Sequence, residues 1–290
     1  MMTSAHKFGI LPCFTPFNCV RSRTVPVPKP GPGQLLVQVA ASSVNPCDVD
    51  YLEVGVGCSG GGGNLGMDLA GTVAEVGQGS TCERLNVGDK VWADAGGMTG
   101  DTGGMAQYAV VKCSQTGLAP MSINLTAAGT IPLVGFTSLE CLTETGAPWP
   151  QPNNLTVVIT SGTGGTGFIG VQLAKALGAA RVVTATSGAA NIALAKQLGA
   201  DVVVDYKKQD IFAALPDDSV DVVYDNFGAK GNADKAMRTI RPGGVFLVLP
   251  GGNGGGLSKH PKKGVRQVNF GMASASNHTY LDTLASLFGE

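Results

Sequence analysis

The chain has 290 residues, of which 43% are hydrophobic, only 14% are charged and 43 are glycine. That is enough apolar chain for two cored domains, and low charge with abundant glycine suits buried parallel strands joined by glycine turns. A net charge of −1 gives no field for nucleic acid or an anionic membrane, and no segment approaches the roughly eighteen continuous apolar residues of a spanning helix. The seven cysteines are odd in number and lack C-x-x-C spacing. They argue against a disulfide framework and for a reducing compartment. With no long apolar secretory core at the N-terminus the cytoplasm is the default, an organelle being the alternative that no clear leader supports.

In chain order, Phe8–Leu11 and Val20–Val25 read as short extended runs, and the prolines of VPVPKPGPG (25–33) mark an exposed turn. Leu35–Ala40 is a strand. An Asn-Pro turn at Asn45 and a short helical or irregular piece follow, then a glycine loop at 57–63. Met67–Val76, Lys90–Ala93 and Gln107–Val111 alternate as strands of one small β-rich unit, with a second glycine-rich loop at 94–104. The character changes near Leu125. Ala127–Gly146 reads as a helix pair interrupted at Pro132 and Gly135, and PWPQPNN (148–154) as a surface link. Strands are then expected at 155–160, 181–186, 201–205, 220–225, 244–249 and 265–271. Helical patterns at 168–178, 189–198, 208–214 and 230–240 separate them, and a last helix begins at Thr279. This alternation predicts an α/β fold with a doubly wound parallel sheet.

The most informative stretch is LTVVITSGTGGTGFIGVQLAKALG, residues 155–178. An apolar β-branched run leads into a glycine turn, and Ile169, Leu173 and Leu177 then recur four apart. Gly162, Gly164 and Gly167 fall on the G-x-G-x-x-G spacing, with Thr163, Gly165 and Thr166 between them. The first glycine allows the tight turn, the second the approach of a diphosphate, and the third close helix–strand packing. Free N–H groups and the dipole at the helix start would hold the anion.

The pieces PVPKPGPGQLLVQVAASSVNPCD, LGMDLAGTVAEVGQG, NVGDKVWA, GGMAQYAVV, SGTGGTGFIGVQLAKALGA, QLGADVVVDY, VDVVYDNFG and RPGGVFLVL run in that order over residues 7–272. Together they resemble the zinc-free quinone oxidoreductase branch of the medium-chain dehydrogenase/reductases. The resemblance implies a GroES-like domain with a partly open β-barrel over 1–124. It implies a Rossmann domain over 125–272, and a cleft between the two for NADPH and substrate. Members usually continue for a few tens of residues, so 273–290 is expected to be the incomplete start of a return to the first domain, truncated at the C-terminus.

Zinc alcohol dehydrogenases have a Cys where this chain has Asn45, and Gly-His-Glu where it has Gly66-Met67-Asp68. The stretch of their third ligand reads LVGFTS (133–138), without Cys or His, and no four-cysteine lobe is present. No metal is expected. NAD enzymes of this fold place an acid at the end of the second strand, roughly twenty residues past the glycines. Here Ser187 lies twenty positions after Gly167, and the missing acid removes the repulsion against a 2′-phosphate, so NADPH is expected ahead of NADH. By resemblance, Tyr206 lies near the adenosine phosphate with Lys207 beside it, Asn226 and Gly228 lie by the nicotinamide ribose, and Phe270 borders the nicotinamide.

The expected chemistry is hydride transfer from NADPH to a quinone or to the β-carbon of an α,β-unsaturated carbonyl (an enone). Asn45 would hydrogen-bond the substrate carbonyl or the nicotinamide ribose, Tyr51 or water would give the proton, and Thr137 would place a hydroxyl near the nicotinamide. Cys47 reads as a buried structural thiol. The alternatives are an enoyl reductase of a polyketide or fatty-acid pathway, and a non-catalytic, crystallin-like NADPH-binding protein. A homodimer through the last Rossmann strand, at 265–271, is common in the family.

Overall fold

The computed structural model describes residues 4–10, 20–53, 65–94, 103–251, 253–271 and 278–289, with the side chains of 4–10, 20, 21, 23 and 50–53 left aside. The chain divides into two compact units, Met1–Phe136 with Ser274–Glu290, and Thr137–Ala273. No helix among the described residues is long and apolar enough to cross a membrane.

In the first unit, β1 (Ser4–Ile10) and β2 (Val20–Pro26) form an antiparallel pair. The larger sheet contains β3 (Gln34–Ala41), β4 (Asp68–Val76), β5 (Lys90–Asp94), β6 (Tyr108–Lys112) and β7 (Thr116–Leu118). It is antiparallel, in the order β6-β3-β4-β5-β7. Alternate residues of its strands point to one side, as the period of two requires. Leu35, Val37, Leu69, Val73, Val91, Ala93, Ala109 and Val111 meet in one buried cluster inside the curled sheet. β7 has only three residues and no alternation to read, so the sequence pattern missed it. Helix α1 (Pro46–Glu53) follows the Asn-Pro turn, α2 is Leu125–Ala128, and α3 is Pro132–Glu144.

The break expected at Pro132 is real, because proline opens α3, where its missing N–H is no loss. The break expected at Gly135 does not occur. Its N–H donates to Ile131 O at 2.6 Å, and a Cβ there would lie 2.9 Å from both Ile131 Cγ2 and Leu284 Cδ1. The glycine serves close packing against α7 (Thr279–Leu287), whose Leu281 and Leu284 are buried and whose neighbour Phe288 meets Trp92 edge-on.

The second unit alternates strand and helix: β8 (Thr156–Ile159), α4 (Gly165–Ala176), β9 (Arg181–Thr186), α5 (Ala189–Gln197), β10 (Val202–Asp205), β11 (Val220–Asp225), α6 (Asn232–Thr239), β12 (Ile240–Val248) and β13 (Arg266–Asn269). All pairings are parallel, in the order β10-β9-β8-β11-β12-β13. The doubly wound sheet expected is the one found. Its central runs Val157–Ile159, Val222–Tyr224 and Phe246–Val248 are buried, as strands covered on both faces must be. The order reverses between β8 and β11, where open α/β sheets bind their ligands at the carboxyl ends of the strands. The helix expected at 208–214 is instead a series of turns. Asp210 Oδ1 takes the N–H groups of Phe212 and Ala213 at 2.9 and 3.2 Å, a local bond that competes with helix.

The cysteine reading needs correction at one pair. Cys82 and Cys113, both buried, form a disulfide across 31 residues of the first unit. Odd number and scattered spacing hid a pair that only the sheet brings together. Cys47 and Cys141 are free, while Cys13, Cys19 and Cys58 lie outside the described residues, as does the loop at 57–63. Closing a loop of this length stabilises by about 3–4 kcal/mol in the chain-entropy account. Replacing Cys113 with Ser should therefore lower the unfolding free energy by roughly that amount in denaturant titrations. Reductant should then lower the wild type and leave the variant unmoved.

Candidate functional site

The glycine turn sits between β8 and α4, at the point where strand order reverses. Gly162 N–H donates to Ala185 O at 3.0 Å, and a Cβ on Gly162 would stand 2.3 Å from Thr184 Oγ1. At Gly167 a Cβ would stand 1.6 Å from Ser161 O, and at Gly164 it would stand 2.9 Å from Ser161 Oγ. Larger residues are excluded at the first and last of these by fixed neighbours. Gly164 is the N-cap of α4 and no side chain caps that helix. The unpaired N–H groups of the first turn, Gly165, Thr166 and Gly167, are thus left for an anion, with the helix dipole behind them. Thr163 Oγ1 and Thr186 Oγ1 share a hydrogen bond at 2.6 Å, tying the turn to the end of β9.

Asn226 holds the other side. Its Oδ1 accepts from Ser161 N at 2.9 Å, and its Nδ2 donates to Ser161 O at 3.1 Å and Thr166 Oγ1 at 3.2 Å. One amide therefore joins the ends of β8 and β11 to the start of α4. Behind it lies Asp225, fully buried, whose Oδ1 accepts from Thr160 Oγ1 (2.7 Å), Gly228 N (3.1 Å) and Asn232 Nδ2 (3.1 Å). Its Oδ2 is buried with no hydrogen-bond partner, and burial raises this carboxyl above the usual carboxylate range. Gly228 has φ +60° and no room for a Cβ against Leu249 O at 2.7 Å, so the turn after Asn226 requires glycine.

At the outer strands, Ser187 follows β9, and Asn191 Nδ2 donates to its carbonyl at 3.1 Å. The second strand ends without an acid, as the sequence reads, but the third strand ends in Asp205. The neighbouring Ser187 hydroxyl and the Lys207 N–H, which donates to Oδ1 at 3.1 Å, hold the Asp205 carboxylate below the usual range. Tyr206 is 61% exposed and its N–H donates to Thr186 O at 3.3 Å, while Lys207 is exposed. Phe270, half-buried, follows β13 and donates its N–H to Val248 O at 2.9 Å. Thr137 is buried on α3. It is the adjacent Ser138 whose hydroxyl reaches the glycine turn, donating to Thr166 O at 2.8 Å.

In the first unit Asn45 opens α1. Its N–H donates to Asp48 Oδ2 at 2.8 Å and its carbonyl accepts from Asp48 N at 3.0 Å, so the carboxylate three residues on closes the cap. The Asn45 side chain turns instead to Asp68, donating Nδ2 to Oδ2 at 2.7 Å. Ser43 Oγ donates to the same oxygen, and Leu133 N, at the start of α3, donates to Oδ1 at 2.6 Å. Asp68 is fully buried, and burial raises its carboxyl while the bonds from Ser43, Asn45 and Leu133 lower it. Cys47 Sγ lies 2.9 Å from Met67 Sδ, and burial pushes its thiol up to about 12, leaving it inert at neutral pH. The donors at these positions do not fit zinc: an amide, a thioether and a carboxylate already taken by three donors. Among the described residues no three His, Cys, Asp or Glu gather to hold a metal ion. The side chain of Tyr51 lies outside the described residues.

Two family models match the chain, the alcohol dehydrogenase GroES-like domain over residues 31–122 and the zinc-binding dehydrogenase over 165–282. The 2-methylene-furan-3-one reductase of Solanum lycopersicum is 33% identical over 235 residues, 78% of this chain. The chloroplastic NADPH-dependent alkenal/one oxidoreductase of Arabidopsis thaliana is 32% identical over 231 residues, again 78% of the chain. A solved mycobacterial quinone oxidoreductase is 25% identical with a TM-score of 0.78, covering 98% of this chain and 88% of its own. By these matches the chain is similar to the quinone and enone reductase branch of the medium-chain dehydrogenase/reductase superfamily. It spans 57% of the length of each of the two curated relatives.

The family motifs pointed to the glycines, Asn226 and Gly228, but Asp68, Asp205, Asp225 and Ser138 were missed as site residues. Their one signal was a polar residue beside an otherwise apolar or glycine-marked motif, which states no partner. Removing the buried Asp68 acceptor by Asp68→Ala leaves three donors unpaired. It should destabilise the protein by roughly 2–4 kcal/mol in denaturant titration, where Asp68→Glu costs less.

Proposed function

We propose that the protein is an NADPH-dependent, zinc-independent reductase that delivers hydride to a quinone or to an α,β-unsaturated carbonyl. The observation that carries this reading is the cradle at the start of α4. Gly162 and Gly167 leave no space for a Cβ, and no side chain caps the helix. The residues fit a dinucleotide diphosphate, and NADPH when bound supplies the hydride. The names of the relatives, an alkenal/one oxidoreductase, a methylene-furanone reductase and a quinone oxidoreductase, supply the acceptor class.

The chain's own work is binding, orientation and electrostatics. The first-turn N–H groups of α4 hold the diphosphate, and Asn226 keeps the turn in the shape that presents them. Tyr206 and Lys207 serve the adenosine end, while Asn226, Gly228 and Phe270 serve the nicotinamide end. Thr137 is assigned a hydroxyl role there and Tyr51 a proton. For Asn45, whose Nδ2 donates to both Asp68 Oδ2 and Ser43 Oγ, the free polar atom is the carbonyl Oδ1. That favours accepting from a ribose hydroxyl over donating to a substrate carbonyl. Zinc independence follows from the donors at Asn45 and Met67, and a homodimer through β13, the last strand of the sheet, completes the reading.

The test is loss of NADPH absorbance at 340 nm with a panel of quinones, enones and 2-enoyl thioesters, with and without a chelator. Turnover of quinones or enones that survives chelation is expected. Turnover of thioesters alone would favour an enoyl reductase, and fluorescence-detected binding without any turnover would favour a non-catalytic role. Gly167→Ala should weaken NADPH binding by about tenfold or more, since the new methyl meets backbone and shifts the helix start. Ser187→Ala should leave the diphosphate contacts intact and change affinity far less.

A further inference from the structure

The absence of an acid at the end of the second strand is the basis for expecting NADPH, yet the sheet brings one to that place from the third. β10 pairs in parallel with β9, and Asp205 stands in register with Thr186. Register partners on neighbouring strands point to the same face of a sheet. The Thr186 hydroxyl bonds the hydroxyl of Thr163 in the glycine turn at 2.6 Å, so this face is the one that carries the turn. Thr163, Thr186 and Asp205 form a row along the carboxyl edge of the sheet, with Ser187 beside it.

The carboxylate of Asp205 is placed by backbone as well as side chains. Its Oδ1 accepts from Lys207 N at 3.1 Å, and its carbonyl accepts from Lys208 N at 2.9 Å and Gln209 N at 3.0 Å. The Lys208 ammonium stands 4.0 Å from Oδ2. The Ser187 hydroxyl beside this carboxylate helps to hold it below the usual range. A carboxylate has about four lone-pair sites, so Asp205 retains room for a further donor. A ribose hydroxyl is such a donor, and a 2′-phosphate is not.

We propose that Asp205 is a specificity-determining residue. It accepts the adenosine-ribose hydroxyl of NADH and opposes the 2′-phosphate of NADPH, against the attraction of Lys207 and Lys208. The proposal rests on the dinucleotide reading above and refines it, making the preference for NADPH narrow and NADH a usable coenzyme.

The test is the dissociation constants of NADPH and NADH, read from reduced-nicotinamide fluorescence without substrate, for the wild type and Asp205→Asn. Asparagine keeps an acceptor for the Lys207 N–H and removes the charge. The wild-type constants are expected within about tenfold of each other, and Asp205→Asn should move their ratio towards NADPH by about tenfold. A ratio that Asp205→Asn leaves unchanged, or moves towards NADH, overturns the proposal. Competition by 2′,5′-ADP against 5′-ADP on the wild type gives the same answer without a variant. A preference for 2′,5′-ADP beyond about a hundredfold overturns it. If the wild type binds neither coenzyme, the dinucleotide reading itself fails, a result distinct from tight NADPH binding with Asp205 silent.

Discussion

The second unit depends on a contact that only a hydrogen atom permits. At Gly167 the helix backbone passes so close to Ser161 O that a Cβ would overlap it at 1.6 Å. That approach brings the start of α4 against the end of β8, within reach of Asn226 across the strand reversal. The Asn226 amide then bonds both main-chain groups of Ser161 and the hydroxyl of Thr166. Ser138 takes up the neighbouring carbonyl of Thr166 from α3. Each of these bonds satisfies a polar group at the turn without using the N–H groups of the first helical turn. The site is therefore rigid where it touches protein and unsaturated where it would touch an anion.

The first unit solves a different problem at the positions where zinc alcohol dehydrogenases carry their metal ligands. A buried carboxylate is costly unless its oxygens are filled, and Asp68 fills them with three donors from two segments. These are the turn from β3 into α1, with Ser43 and Asn45, and the start of α3, with Leu133. Burial raises its carboxyl while the three donors pull it down. Beside it Asn45 and Met67 stand where zinc alcohol dehydrogenases have a Cys and a His.

Much of this was legible in the sequence, and the parts that were not share a cause. Strands β8, β9 and β11, helix α4, and the glycine spacing follow from local patterns of apolar runs and turn residues, which need no knowledge of neighbours. Gly135 misled because a glycine in a helix reads as a breaker, whereas its reason is the Leu284 side chain packed on it from far along the chain. The turns at 208–214 misled in the opposite sense, since helical spacing does not reveal that Asp210 captures the local N–H groups. The Cys82–Cys113 bridge and the Asp68 cluster are contacts between segments distant in sequence. No periodicity reports them.

Coenzyme choice shows the same limit at the level of function. The rule that seeks an acid some twenty residues past the glycines follows the chain along one strand, and it finds Ser187. The proposed binding edge is where strands β8, β9 and β10 end side by side, so the relevant neighbour of Ser187 is set by sheet order. The Ser187 hydroxyl and the Lys207 N–H beside Asp205 lower its carboxyl below the usual range. The edge then carries a fixed negative charge facing two lysines, one of which lies only 4.0 Å from it. Water and salt weaken the attraction between exposed charges, and the carboxylate is better covered than Lys208. On the proposed reading the acid, held by the Lys207 N–H, meets the ribose, while the more exposed lysines meet the phosphate.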